Sequence, residues 1–178
     1  WAGTLRKLPR EVQPRFVKPQ LAISAAQPPS GAGWVHELKL DGYRVQARKD
    51  GNHVQMLTRS GLDWTDRFKA TAAEMAKLNV KEATLDGEVV VLTPDGGTSF
   101  SDLQASFQTG AGRHKTYCCF DLLHVNGSNL RGLPLTKRKE MLEDLLSGAD
   151  HDLLQVSEHI PDDGERVFDK ACELHAEG

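Results

Sequence analysis

The chain has 178 residues, 39% of them apolar and 26% charged, which is ordinary for a globular protein and enough for one domain with a sizeable core. Its net charge of −3 excludes a whole-chain argument for polyanion binding, so a nucleic acid would have to meet a local basic patch or another domain. No run of about 18 apolar residues offers a membrane span, and the start, WAGTLRKLPREVQPRF, lacks the apolar stretch of a signal peptide.

Opening on Trp1 rather than Met suggests a fragment of a longer chain. Residues 1–33 read as an extended segment, because Pro9, Pro14, Pro19, Pro28 and Pro29 oppose a long helix and PPSGAG is a loop. From Trp34 the pattern changes. WVHELKL predicts a strand, and YRVQARK alternates Tyr43, Val45 and Ala47 against Arg44, Gln46 and Arg48. DGN and then HVQMLT complete a predicted hairpin. Residues 66–78 repeat Phe68, Ala72, Met75 and Ala76 at helical spacing, with Thr65 or Asp66 available as N-cap. ATLDGEVVVL (83–92) and TYCCFDLLHV (116–125) predict strands, and GAGRHK (110–115) between them reads as a basic surface loop rather than a phosphate cradle. TKRKEMLEDLLSG (136–148) predicts a helix capped by Thr136 and ended by Gly148. DLLQVSE reads as a short strand, and DDGERVFDKACELHAEG starts a helix with Val167, Phe168, Ala171 and Cys172 on one stripe. Mixed order with early hairpins points to an α+β fold of mainly antiparallel sheets flanked by helices. Cys118, Cys119 and Cys172 are spaced for neither a disulfide framework nor a metal, and are expected as buried thiols in a reducing cytoplasm.

Charges interrupt two of these strands. Strand residues two apart share a face, so Glu37 and Lys39 are expected to point one way, as are Asp86 and Glu88. Buried charges persist when they meet each other, a metal or a ligand. Gly42 and Gly87, beside the carboxylates, permit close approach by a ligand or another backbone. A lysine can act as a covalent nucleophile once its amine is deprotonated, and Arg44 and Arg59 are the nearby cations that favour this. Guanidinium groups suit phosphate oxygens, and carboxylates suit a hard divalent ion. Together they describe a phosphoryl-type transfer site. There is no GxxxxGK[ST] and no GxGxxG after a strand; HELKL is not HExxH, and the seven histidines lack zinc spacing.

KLDG at Lys39–Gly42 with Arg44 resembles the KxDG signature of covalent nucleotidyltransferases: DNA ligases, RNA ligases and capping enzymes. TRSG (58–61), LDGE (85–88) and FDLL (120–123) follow in order and resemble that family's next motifs. The flanking text, WVHELKLDGYR with LPLTKRKEML and VSEHI, is most similar to the ATP-dependent ligase domain of bacterial ligase D, the end-joining ligase, over roughly residues 16–178. The resemblance implies a nucleotidyltransferase (ATP-grasp-like) adenylation domain over residues 34–178, with 1–33 packing on or leading into it. It implies that Lys39 attacks the α-phosphate of ATP and that AMP then passes to a DNA 5′-phosphate for nick sealing. By the same likeness Glu37 contacts adenine with backbone around Leu38, Arg44 and Arg59 bind ribose and phosphates, and Phe120 stacks on the base. Glu88 contacts the ribose and joins Glu177 in a Mg²⁺ or Mn²⁺ site. Nicked or broken double-stranded DNA, end-joining factors and other domains of a parent chain are the implied partners, in a bacterial cytoplasm at the nucleoid. RNA ligases and capping enzymes are the alternative within the class, and a nucleotide- or DNA-binding module without catalysis is the alternative outside it.

The sequence departs from the family at its end. The fourth motif resembles EGxxxK, and the chain stops at Glu177-Gly178. The expectation is therefore a domain incomplete at its C-terminus, without the OB-fold domain, that keeps the nucleotide pocket but joins DNA weakly or not at all.

Overall fold

A computed structural model describes residues 2–29, 31–94, 96–109, 115–161 and 163–173. The basic loop at 110–114 and Glu177 lie outside the described residues. The elements in order are α1 (Ala2–Leu5), β1 (Val35–His36), β2 (Tyr43–Asp50), β3 (His53–Thr58), a 3₁₀ turn (Thr65–Phe68) running into α2 (Lys69–Lys77), β4 (Glu82–Val90) and α3 (Phe100–Thr109). They continue as β5 (Thr116–Val125), β6 (Ser128–Asn129), α4 (Leu135–Leu146), β7 (Leu154–Val156), β8 (Ile160–Pro161) and α5 (Gly164–Glu173).

One sheet runs β3-β2-β4-β5-β6, all antiparallel, and β7 pairs parallel with β5. A separate two-stranded sheet joins β1 to β8. This is the α+β fold that the element order predicts. The β2–β3 hairpin turns where DGN stands, with Asp50 opposite His53 and Gly51 at φ +59°.

Register divides the main sheet into two chemically distinct faces. Directly opposed residues share a face. Tyr43–Val89, Val45–Gly87 and Ala47–Leu85 therefore look one way, into a core with Met56, Phe68, Met75, Leu103 and Tyr117. Arg44–Glu88, Gln46–Asp86 and Arg48–Thr84 look the other way. The N-terminal segment lies along this polar face, held by side chains rather than by a strand ladder. The Gln46 amide accepts from the Val17 N–H at 2.8 Å and donates to its carbonyl at 2.9 Å. Arg48 Nε donates to the Pro14 carbonyl and Arg44 Nη1 to that of Gln20. Buried Gln13 Nε2 meets the Lys49 and Ala83 carbonyls and Thr84 Oγ1 within 3.0 Å.

Several expectations need correction. WVHELKL is a strand only at Val35–His36; from Glu37 to Gly42 the backbone leaves the ladder, so the alternation argument does not apply to Glu37 and Lys39. Neither N-cap forms. Thr65 lies inside the 3₁₀ turn, where its hydroxyl accepts from the Met56 N–H and donates to Asp63. Thr136 is the second residue of α4, which starts behind Pro134. Val167 and Ala171 are buried, but Phe168 and Cys172 on the same helix are exposed, so only Cys118 and Cys119 are buried thiols.

Candidate active site

The site is built where the segment between β1 and β2 passes the C-terminal end of β4. Gly42 makes this crossing possible, since a Cβ there would stand 2.2 Å from the Val89 carbonyl oxygen. The Asp41 N–H donates to Thr98 Oγ1 at 3.1 Å and fixes the same crossing. Gly87, on the core face of β4, is confined by β5 instead: a Cβ would meet the Cys118 carbonyl at 2.5 Å and the Tyr117 ring at 2.6 Å. Both glycines are thus required by neighbouring protein atoms.

Lys39 stands exposed at the mouth of this crossing. Its charge is felt by Glu88, the half-buried carboxylate on β4. Burial pushes Glu88 up to about 7, against the opposing pull of Arg44 and Lys39, and the negative charges of Asp86 and Asp41 push the same way as burial. Asp86 is also raised by burial, despite its partner Arg44. That partnership is a fork: Arg44 Nε and Nη2 donate to the two Asp86 oxygens at 3.2 and 2.9 Å.

Arg44 therefore does not present an unengaged guanidinium. Asp86 takes one edge, the Gln20 carbonyl accepts from Nη1 at 2.7 Å, and the group lies 5.3 Å from the centre of the Phe120 ring. Phe120 has no register partner. Asp86 opposes Asp121 and Gly87 opposes Cys119, which makes Phe120 the extra residue of a β-bulge. The bulge re-aims the Phe120 side chain toward the Arg44 guanidinium.

The structure groups the nominated residues unevenly. Arg44, Arg59 and Glu88 line one open cavity of about 360 Å³ with Gly42, Thr58 and Trp64. Leu38 lines a different groove of about 730 Å³ with Ile160, Asp163, Arg166 and Val167. Glu37 is turned to α4, where its Oε1 lies 3.1 Å from Lys139 Nζ. Sequence reasoning missed that lysine, together with the Arg138–Asp121 fork (2.7 and 2.9 Å) that ties α4 to β5. A signal existed: Leu135, Lys139, Leu142 and Leu146 share one helical stripe, so the lysine occupies a core position.

No metal-binding group of three or more His, Cys, Asp or Glu exists among the described residues. The Glu88 carboxylate nevertheless suits a hard cation. It is desolvated, its shift arises from burial and charge alone, and Mg²⁺ is commonly held by one or two carboxylates plus substrate phosphates.

The family model for the ATP dependent DNA ligase domain matches residues 17–178. The multifunctional non-homologous end joining protein LigD of Pseudomonas aeruginosa is 41% identical over 165 residues, which are 93% of this chain and 20% of that protein. The SPbeta prophage-derived DNA ligase-like protein LigB of Bacillus subtilis is 32% identical over 92% of this chain and 59% of its own length. Among solved structures, mycobacterial DNA ligase D complexed with ATP and MES superposes with a TM-score of 0.76 at 30% identity, covering 94% of this chain and 54% of that one. The ligase domain of Mycobacterium tuberculosis LigD gives 0.65 at 32% identity, over 81% and 46%. The chain thus spans about a fifth of one curated relative and about three fifths of the other. It belongs to the ATP-dependent DNA ligase domain family.

Proposed function

We propose that this domain forms a covalent lysyl-adenylate from ATP and passes AMP to a 5′-phosphate in DNA, which a 3′-hydroxyl then displaces to seal the strand. The observation that carries the reading is one cavity lined by Arg44, Arg59 and the half-buried carboxylate of Glu88, with the charge of Lys39 acting on that carboxylate and the Phe120 ring beside Arg44. Lys39 Nζ, its proton lost to solvent, attacks the α-phosphorus; a P–N bond forms and pyrophosphate leaves. Arg59, exposed at the cavity rim, meets phosphate oxygens, and Arg44 keeps one N–H on each terminal nitrogen for the same purpose. Phe120 supplies an aromatic face for the base, Glu37 an acceptor for its exocyclic amine, and Leu38 the adjoining backbone.

Glu88, with Glu177 as the second carboxylate, would hold Mg²⁺ or Mn²⁺. A bound divalent ion supplies charge neutralisation on the phosphates. Nicked or broken duplex DNA is the substrate, other domains of a longer protein and end-joining factors are the partners, and the bacterial cytoplasm at the nucleoid is the setting.

The test is transfer of label from α-labelled ATP to the protein with Mg²⁺, with unlabelled ATP and GTP as competitors. Label that ATP removes, GTP does not, and Lys39→Ala abolishes supports the reading. GTP competing as well as ATP would move it to capping enzymes.

A further inference from the structure

Lys139 is fully buried, at 0% exposure, in the middle of α4. A buried ammonium is costly unless its donors are met. Two acceptors meet it at 3.1 Å each: the carbonyl oxygen of Phe120 and Oε1 of Glu37. The bulge explains the first, because it takes Phe120 out of the β4–β5 register where Lys139 can reach its carbonyl. The second is a side chain only two residues from Lys39, on backbone with no ladder of its own. One buried cation therefore ties together the two residues placed on the base by the proposed function.

We propose that Lys139 is a positioning residue for base selection, an inference that rests on the lysyl-adenylate reading. By pinning Oε1, it aims the second carboxylate oxygen of Glu37, whose side chain is 25% exposed, at the nucleotide. That oxygen is an acceptor only. It matches the exocyclic amine of adenine and repels a purine with a carbonyl oxygen at that position. Rejection of the wrong base thus comes from an unmatched acceptor pair as well as from the match to adenine. Without Lys139 the carboxylate loses its anchor and turns to water.

The experiment measures binding affinity and lysyl-adduct formation with ATP and with inosine triphosphate, for the wild-type chain, Lys139→Met, Glu37→Ala and Glu37→Ala/Lys139→Met. The preference for ATP is expected to fall about tenfold in Lys139→Met, the equivalent of one charge-assisted hydrogen bond. It is expected to be the same in Glu37→Ala and the double variant, because Lys139 acts through Glu37. If Lys139→Met fails to fold, the comparison of Glu37→Ala with the double variant decides. Equal loss with both nucleotides, or a double variant less selective than Glu37→Ala, would overturn the proposal. A wild-type chain that binds ATP selectively but forms no adduct sinks the lysyl-adenylate reading while leaving this test intact. A wild-type chain without preference sinks the positioning role itself.

Discussion

Glu88→Gln separates what this carboxylate does for function from what it costs the fold. Burial moves the carboxyl from its ordinary 4.5 to about 7, which corresponds to roughly 3 kcal/mol against the ionised form in the folded state. The sign follows from proton counting. Between 4.5 and about 7 the folded chain holds a proton that the unfolded chain has released, so stability falls as pH rises through that window and stays lowered above it. Glutamine keeps the shape and removes the titration. Glu88→Gln should therefore match the wild type near pH 4 and exceed it by about 2–3 kcal/mol near pH 8, measured by urea unfolding of both proteins at each pH. The same substitution should abolish adduct formation, giving a variant more stable than the wild type and inactive. A stability difference that does not change with pH, or a variant less stable than the wild type near pH 8, would refute the burial argument.

Three other outcomes follow from the geometry. Gly87→Ala forces a Cβ within 2.6 Å of the Cys118 carbonyl and the Tyr117 ring, and should cost about 1–3 kcal/mol by thermal unfolding. Gln13→Ala strips the buried amide that binds Lys49, Ala83 and Thr84. It should cost about 1–3 kcal/mol and raise hydrogen exchange along β2 and β4, whereas unchanged protection would show that the N-terminal segment does not brace the sheet. Phe120→Ala should weaken ATP binding by about 1–3 kcal/mol, judged from base–aromatic stacking elsewhere; calorimetry showing no change would remove Phe120 from the base site.

The sheet was legible because its strands carry strong local signals. Asp50-Gly51 between alternating runs marks the hairpin, and the limits of β5 coincide with TYCCFDLLHV. Asp86 and Glu88 share a face as period-two reasoning demands, since β4 is a full strand. Glu37 and Lys39 escaped that reasoning because β1 ends at His36, and the ladder that imposes the period ends with it. Helix starts are obscured where a threonine stands inside the first turn or gives its hydroxyl to other partners. The start of α3 is hidden in the polar text SFSD, where Ser99 Oγ accepts from the Asp102 N–H at 3.2 Å as a cap. Lys139 is obscured for a different reason. Within TKRKE it resembles a solvated charge run, and only the helical stripe that it shares with Leu135, Leu142 and Leu146 separates it from its neighbours.

The most direct measurement is peptide mapping of the chain after incubation with ATP and Mg²⁺. The account predicts one AMP-sized mass gain, confined to the peptide bearing Lys39, acid-labile as a P–N bond should be, and absent from Lys39→Arg. An adduct on another residue, or one that survives in Lys39→Arg, would contradict it.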